Sequence, residues 1–491
     1  MTTKEPLRLD ILKRSLSYPS VLVAALIAVS HGAPALAHTS ERAFVLTLPT
    51  HLYIAGGAIV VAVSFMIAAL VTAERVRSIA AIEWRLGRVP HGVGAAASVV
   101  SLAIMTALVG AGFLGTQDPL ANPLPLVVWT LWWIGLTAAQ VLLGDLWSAL
   151  NPWRGAHTLL RTVPGLRRIV ARPPLRYPDG LGAWPAVAGF LGFAWFELVY
   201  AAPQNPEILA KAVAAYFTLH LAGSLLFGLS PWLRNAEAFS VYFRMVSWLS
   251  PLNGRPGATS EDGGAIVATL PGLGLLHLRP LGIGGVAFVL LALSSVSFDG
   301  LSGTFWWLDL IGTNPLEFPG RSAVTLPNTL GLFGTFVALA AAFAAAVRLG
   351  QRMGGDSAPL ATRLGESVAS IVPIALGYHL AHYATSFMVD AQYAATALSD
   401  PFGLGWDAFG LGQVRVTTSF LNDFGSVRAI WHAQVAIIVF AHVAAVAVGH
   451  GIAARRTDRH RDAVLGQAPL TVLMVGYTVF GLWLLATPTA A

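Results

Sequence analysis

Residues 429–452, AIWHAQVAIIVFAHVAAVAVGHGI, decide the class of this chain. They contain no Asp, Glu, Lys or Arg. At about 1.5 Å per residue the segment is long enough, as a helix, to cross a hydrocarbon core of about 30 Å. It nevertheless carries His432, His442 and His450. A bilayer interior penalises polar side chains, so an intramembrane histidine is by default a functional residue whose partner must be found.

Working outward, similar apolar stretches recur. The expected spans are 50–73, 92–114, 124–148, 182–201, 209–228, 281–299, 328–348, 367–388, 429–452 and 469–488. Only 11% of the residues are charged, against about 25% in soluble domains. The fold expected is therefore an all-α polytopic membrane protein of about ten transmembrane helices. Ahead of them, Lys4, Arg8, Lys13 and Arg14 precede the apolar run 21–29 and Ala35-Leu36-Ala37. That is the pattern of a cleavable signal peptide over 1–37, which leaves 38–491 as one transmembrane domain.

The net charge of +6 is not a nucleic-acid signal, because the basic residues sort by loop. Loops 74–91, 149–181 and 229–280 are rich in arginine, as are the stretches holding Arg348, Arg352 and Arg363 and Arg455, Arg456, Arg459 and Arg461. Loops 115–123 and 202–208 contain no Lys or Arg. By the positive-inside rule the first group is cytoplasmic, and the mature termini and loop 389–428 are external, as in a bacterial inner-membrane protein. Loop 229–280 includes AEAFSVYFRMVSWLS, with helical spacing that suits a helix on the membrane surface or one packed under the bundle. SGTFWWLDLIGTN at 302–314 is short enough for a re-entrant piece.

Topology turns the polar residues into a depth map. His379 and His382, in GYHLAHYATSF, are three positions apart and share a helix face. Counting from the outer end, His382 lies roughly 9 Å deep, His379 roughly 13 Å and His432 roughly 5 Å. Asp299 ends span six on the same side, Glu197 lies one turn below the outer end of span four, and Asp400 and Asp407 fall in the external loop. His379, His382, His432, Asp299 and Asp400 are thus the expected ligands of a divalent metal ion. Glu197 or Asp407 would serve as proton acceptor or orienting group. With no cysteine, thiolate sites and disulfides are excluded.

Other readings compete. FDG and SDP are turn-forming sequences, so Asp299 and Asp400 also suit caps. His379 or His382 against His442 offers an axial pair for haem b, although their depths differ. Intramembrane histidines and carboxylates also form proton relays in carriers, but no inverted repeat or broken span is evident. The G-x-S-x-G, H-E-x-x-H and Walker A patterns are absent.

Several stretches resemble the integral-membrane family known chiefly as fenitrothion hydrolases. They are HTSERAFVLTLPTHLYIAGGAIVVAVSF at 38–65, GDLWSALNPWR at 144–154 and EAFSVYF at 237–243, then SFDGLSGTFWW, YHLAHYATSF, LSDPFGLGWDAFG and AIWHAQVAIIVFAH. The resemblance implies hydrolysis of an organophosphorus triester with release of a nitrophenol. It brings no residue set with it, so the site residues are those of the depth map. A metal-bound hydroxide attacking phosphorus is the chemistry expected, on a lipophilic substrate that reaches the outer leaflet through the bilayer. The alternative class is a non-enzymatic metal or haem carrier.

Overall fold

Capped apolar helices build this molecule. Three Asn-Pro pairs start helices in the same way. Asn122, Asn151 and Asn205 accept backbone hydrogen bonds from Leu124, Arg154 and Ile208, and each is followed by a proline at the first helical position. The asparagine oxygen satisfies an orphan N–H, and proline lacks the N–H that would go unpaired there. Glu237, Thr304 and Asp423 cap three further helices.

The computed structural model describes residues 49–89, 92–255, 264–314, 320–412, 414–457 and 459–489. The expected signal peptide at 1–37 lies outside them. Among the described residues nine helices are long and apolar enough to cross a membrane. The chain is a polytopic helical membrane protein. Its principal helices are α1 (Thr50–Ala68), α2 (Val93–Leu114), α3 (Pro123–Leu143), α4 (Trp184–Leu198), α5 (Pro206–Phe227), α6 (Ala238–Ser247) and α7 (Ile283–Ser302), then α8 (Thr325–Met353), α9 (Val372–Ser399), α10 (Phe424–Arg456) and α11 (His460–Ala486). The expected fourth span is α4, which has only 15 residues. A turn at Gly182, with φ of 46°, and Pro185 in its first turn fix its start.

Helix α7 forms the centre of the core, with Val286 to Val296 and Phe298 buried among its neighbours. Helix α6 is packed into the bundle rather than lying on a surface: every residue but Arg244 is buried. The segment at 302–314 holds the short helix Phe305–Leu310, pinned where the Trp307 indole donates to Asn328 (2.8 Å).

Two irregularities escape the apolar pattern. Residues Val127–Leu136 of α3 wind as a π-helix, a rare form that is frequent at functional sites. A 3₁₀ segment, Val368–Ile371, tightens the winding just before Pro373 within the otherwise continuous helical stretch Leu360–Ser399. The all-α expectation also misses a small antiparallel sheet at the arginine-rich end, ordered β1 (Trp84–Val89), β3 (Gly264–Ala268), β2 (Leu252–Arg255). Its strands are short and pair across distant sequence, Trp84 with Ala268 for example, which local periodicity does not register.

Candidate acid–base site

Helix α9 carries the site, and its rotation decides what each side chain meets. His382 Nε2 lies 2.8 Å from Asp299 Oδ2 at the end of α7. Tyr383, the next residue, places its hydroxyl 2.8 Å from the same Asp299 oxygen and 3.0 Å from Glu197 Oε1 on α4. The result is one hydrogen-bonded run, Glu197–Tyr383–Asp299–His382, joining three helices. Arg321 donates to the Glu197 carbonyl oxygen (2.8 Å) and holds the end of α4 in place. At 33% and 22% exposure, the side chains of His382 and Asp299 are not sealed inside the bundle.

Proton inventory constrains this run. Tyr383 has one hydroxyl hydrogen but lies within bonding distance of two carboxyl groups. Either that hydrogen is shared between the two oxygens, or one further proton on the Glu197–Asp299 pair makes both contacts full hydrogen bonds. Behind the run is a cavity of about 10 Å³, lined by Glu197, Tyr383, His379 and Trp133 among others, with room for a single water. The buried Trp133 indole N–H faces Glu197 and Tyr383, just outside ordinary hydrogen-bond geometry, and so belongs to the same polar group.

Of the five expected metal ligands, only His382 and Asp299 meet. The His379 ring turns to the Trp133 carbonyl oxygen (3.2 Å) and packs edge-on against the Trp133 indole. His432 bonds the Tyr53 hydroxyl (3.0 Å) of α1. The Asp400 carboxylate accepts from the N–H groups of Leu404 and Gly405, so it closes a turn. Asp407, expected as a base, accepts from the Ser399 hydroxyl and the Gly412 N–H. The Ser399 bond first, then the backbone donors of 410–412, holds its carboxyl below the usual carboxylate range. Among the described residues no three His, Asp or Glu side chains converge as a metal site. The His382 and Asp299 atoms closest to one another are bonded together rather than turned toward a common centre. This arrangement does not fit the expected metal centre.

The haem pairing fits no better. His442 is fully buried, its Nδ1 bonded to the Ile438 carbonyl oxygen (2.8 Å). Helices α9 and α10 touch beside it, since a Cβ at Gly377 would overlap that of Ala441. Direct contact leaves no width there for a macrocycle. His220 accepts from the Trp232 indole, and His450 bonds the Val71 carbonyl oxygen; both serve helix packing.

The sequence reading missed Tyr383, Trp133 and Glu237. Tyr383 had a signal, because it neighbours His382 and shares its depth. Buried Glu237, in the EAFSVYF stretch, accepts from Tyr216 (2.6 Å) as well as capping α6. Comparison with family models, with curated proteins and with solved structures finds no match to this chain.

Proposed function

We propose that this protein is a membrane-bound hydrolase of lipophilic organophosphorus triesters of the fenitrothion kind, and that Glu197, Tyr383, Asp299 and His382 form its acid–base centre. The family resemblance supports the substrate class. One observation carries the choice of residues: the 2.8 Å pair of His382 Nε2 and Asp299 Oδ2. An imidazole whose Nε2–H rests on a carboxylate presents Nδ1 as a proton acceptor.

In this reading His382 Nδ1 takes a proton from water while the water oxygen bonds to phosphorus. The bond from phosphorus to the aryl oxygen breaks, and the aryloxide leaves with the electron pair. Asp299 stabilises the imidazolium, which then gives its proton to the aryloxide. One water is consumed, and a phosphorus diester acid and a nitrophenol form. Tyr383 and Glu197 keep the Asp299 carboxylate oriented and hold the additional proton. The arginine bias of the loops supports an extracytoplasmic site, within reach of a substrate dissolved in the outer leaflet.

A second reading, a non-enzymatic carrier, is favoured by the unbroken run of hydrogen bonds, which has the form of a proton relay. Nitrophenol release from fenitrothion by the purified protein in lipid separates the two. Hydrolysis that disappears in His382→Ala and survives chelation of metals supports the proposal. No hydrolysis by well-folded protein favours the carrier.

A further inference from the structure

At the arginine-rich end, opposite the Asp299 network, a cavity of about 480 Å³ opens between α8, α10, α11 and the helical stretch leading into α9. That volume is in the range of small-molecule sites, about 300–1,000 Å³. It is polar where the surrounding bundle is not. Gln351, Gln467, Ser367, Ser370, Arg363 and Arg456 line it.

Two features define what it would take. Gln351 and Gln467 are each 5% exposed. Their Nε2 groups donate to the Ala358 carbonyl oxygen (2.8 Å) and the Val446 carbonyl oxygen (3.0 Å), which fixes the orientation of both amides. Both amide oxygens are left with no partner. A buried acceptor without a donor is costly, and two in one cavity wall call for a guest that donates hydrogen bonds. The charges of the described residues, in contrast, are paired, although the Nε donors of Arg363 and Arg456 meet no aligned hydrogen-bond acceptor. Arg363 pairs with Asp356 (2.5 Å) and Glu366 (2.7 Å), while Arg456 pairs with Glu366 (2.7 Å). Arg459 and Asp462 add one charge of each sign. A wall of that kind favours a net-neutral guest over an anion.

The position narrows the class further. The cavity lies where α8 and α10 end and α11 begins, the level at which spanning helices of this length meet headgroups, and Val347, Ile452 and Leu470 add apolar wall. We infer that this cavity binds a zwitterionic phosphoethanolamine group, its ammonium donating to the amide oxygens of Gln351 and Gln467. The lipid phosphatidylethanolamine and free phosphoethanolamine share this chemistry.

The test is the thermal midpoint of full-length, delipidated protein in detergent, with phosphatidylethanolamine, phosphatidylglycerol or free phosphoethanolamine added. Phosphatidylethanolamine is expected to raise the wild-type midpoint by on the order of 5 °C. Gln351→Leu and Gln467→Leu, made separately in case one fails to fold, should keep a cooperative transition but lose that rise. A rise with free phosphoethanolamine as well, lost in the same variants, supports the site with a soluble source. An equal rise with phosphatidylglycerol, a rise that persists in both variants, or no rise in wild type would overturn the inference.

Discussion

Tyr383 stands between two carboxyl groups, its hydroxyl 2.8 Å from Asp299 and 3.0 Å from Glu197. This hydroxyl ties α9 to α7 and α4 and links the two carboxyl groups of the site. Replacing it tests both roles.

In Tyr383→Phe the ring remains but the bridge is lost. Part-buried Glu197 Oε1 loses this partner, at up to about 1–3 kcal/mol where no water replaces it, while Asp299 Oδ2 keeps His382. The expected outcome is a lower thermal midpoint together with nitrophenol release reduced by roughly 10²-fold. Parallel unfolding and turnover measurements in lipid check this. Unchanged values for both would remove Tyr383 from the site.

Asn151 caps the helix Pro152–Leu160 and also donates to the Ser240 hydroxyl (3.0 Å) on α6. It joins the GDLWSALNPWR and EAFSVYF stretches. Loss of a cap costs about 1–2 kcal/mol, so Asn151→Ala is expected to lower the midpoint without changing KM for the triester. A selective change in KM would give this pair of stretches a role in substrate binding instead.

His157 supplies a pH signature away from the membrane spans. Burial first, and Arg161 second, lower its pKa to about 4. An unfolded chain takes up this proton near pH 6.5, so between these values the unfolded state binds more protons than the folded one. Stability from this group is therefore complete above pH 6.5 and is lost as pH falls toward about 4. His157→Gln keeps a polar group for Ser224, which bonds His157 at 2.9 Å. The variant should show a flatter decline of midpoint between pH 7 and 5, as followed by thermal unfolding across that range. An identical decline would assign the acid sensitivity to other groups.

Depth was legible in the sequence, and azimuth was not. Hydropathy located nine of the ten expected spans among the described residues, the fourth being too short, and helical rise placed Glu197, Asp299 and His382 at a common level, where they do meet through Tyr383. The same arithmetic put His432 near that level, yet it faces α1 and Tyr53. Rise follows from residue number alone, whereas rotation about the helix axis depends on which neighbour packs where. His379 and His382 illustrate the limit, since three positions leave them about 60° apart. That angle sends one to the Trp133 carbonyl and the other to Asp299. The π-helix was invisible for a related reason. VVWTLWWIGL is apolar apart from Thr130, so its pattern does not distinguish a π winding from an α winding.

The central claim is that His382 and Asp299 act as one acid–base unit. Its most direct test is kcat/KM for fenitrothion in wild type, His382→Ala, Asp299→Asn and the double variant, all reconstituted in lipid. Each single change is expected to reduce the value by roughly 10²–10⁴-fold. The double change should be no worse than the more severe single one, as for residues that work as a unit. Full activity in His382→Ala, or losses that multiply in the double variant, would contradict the account.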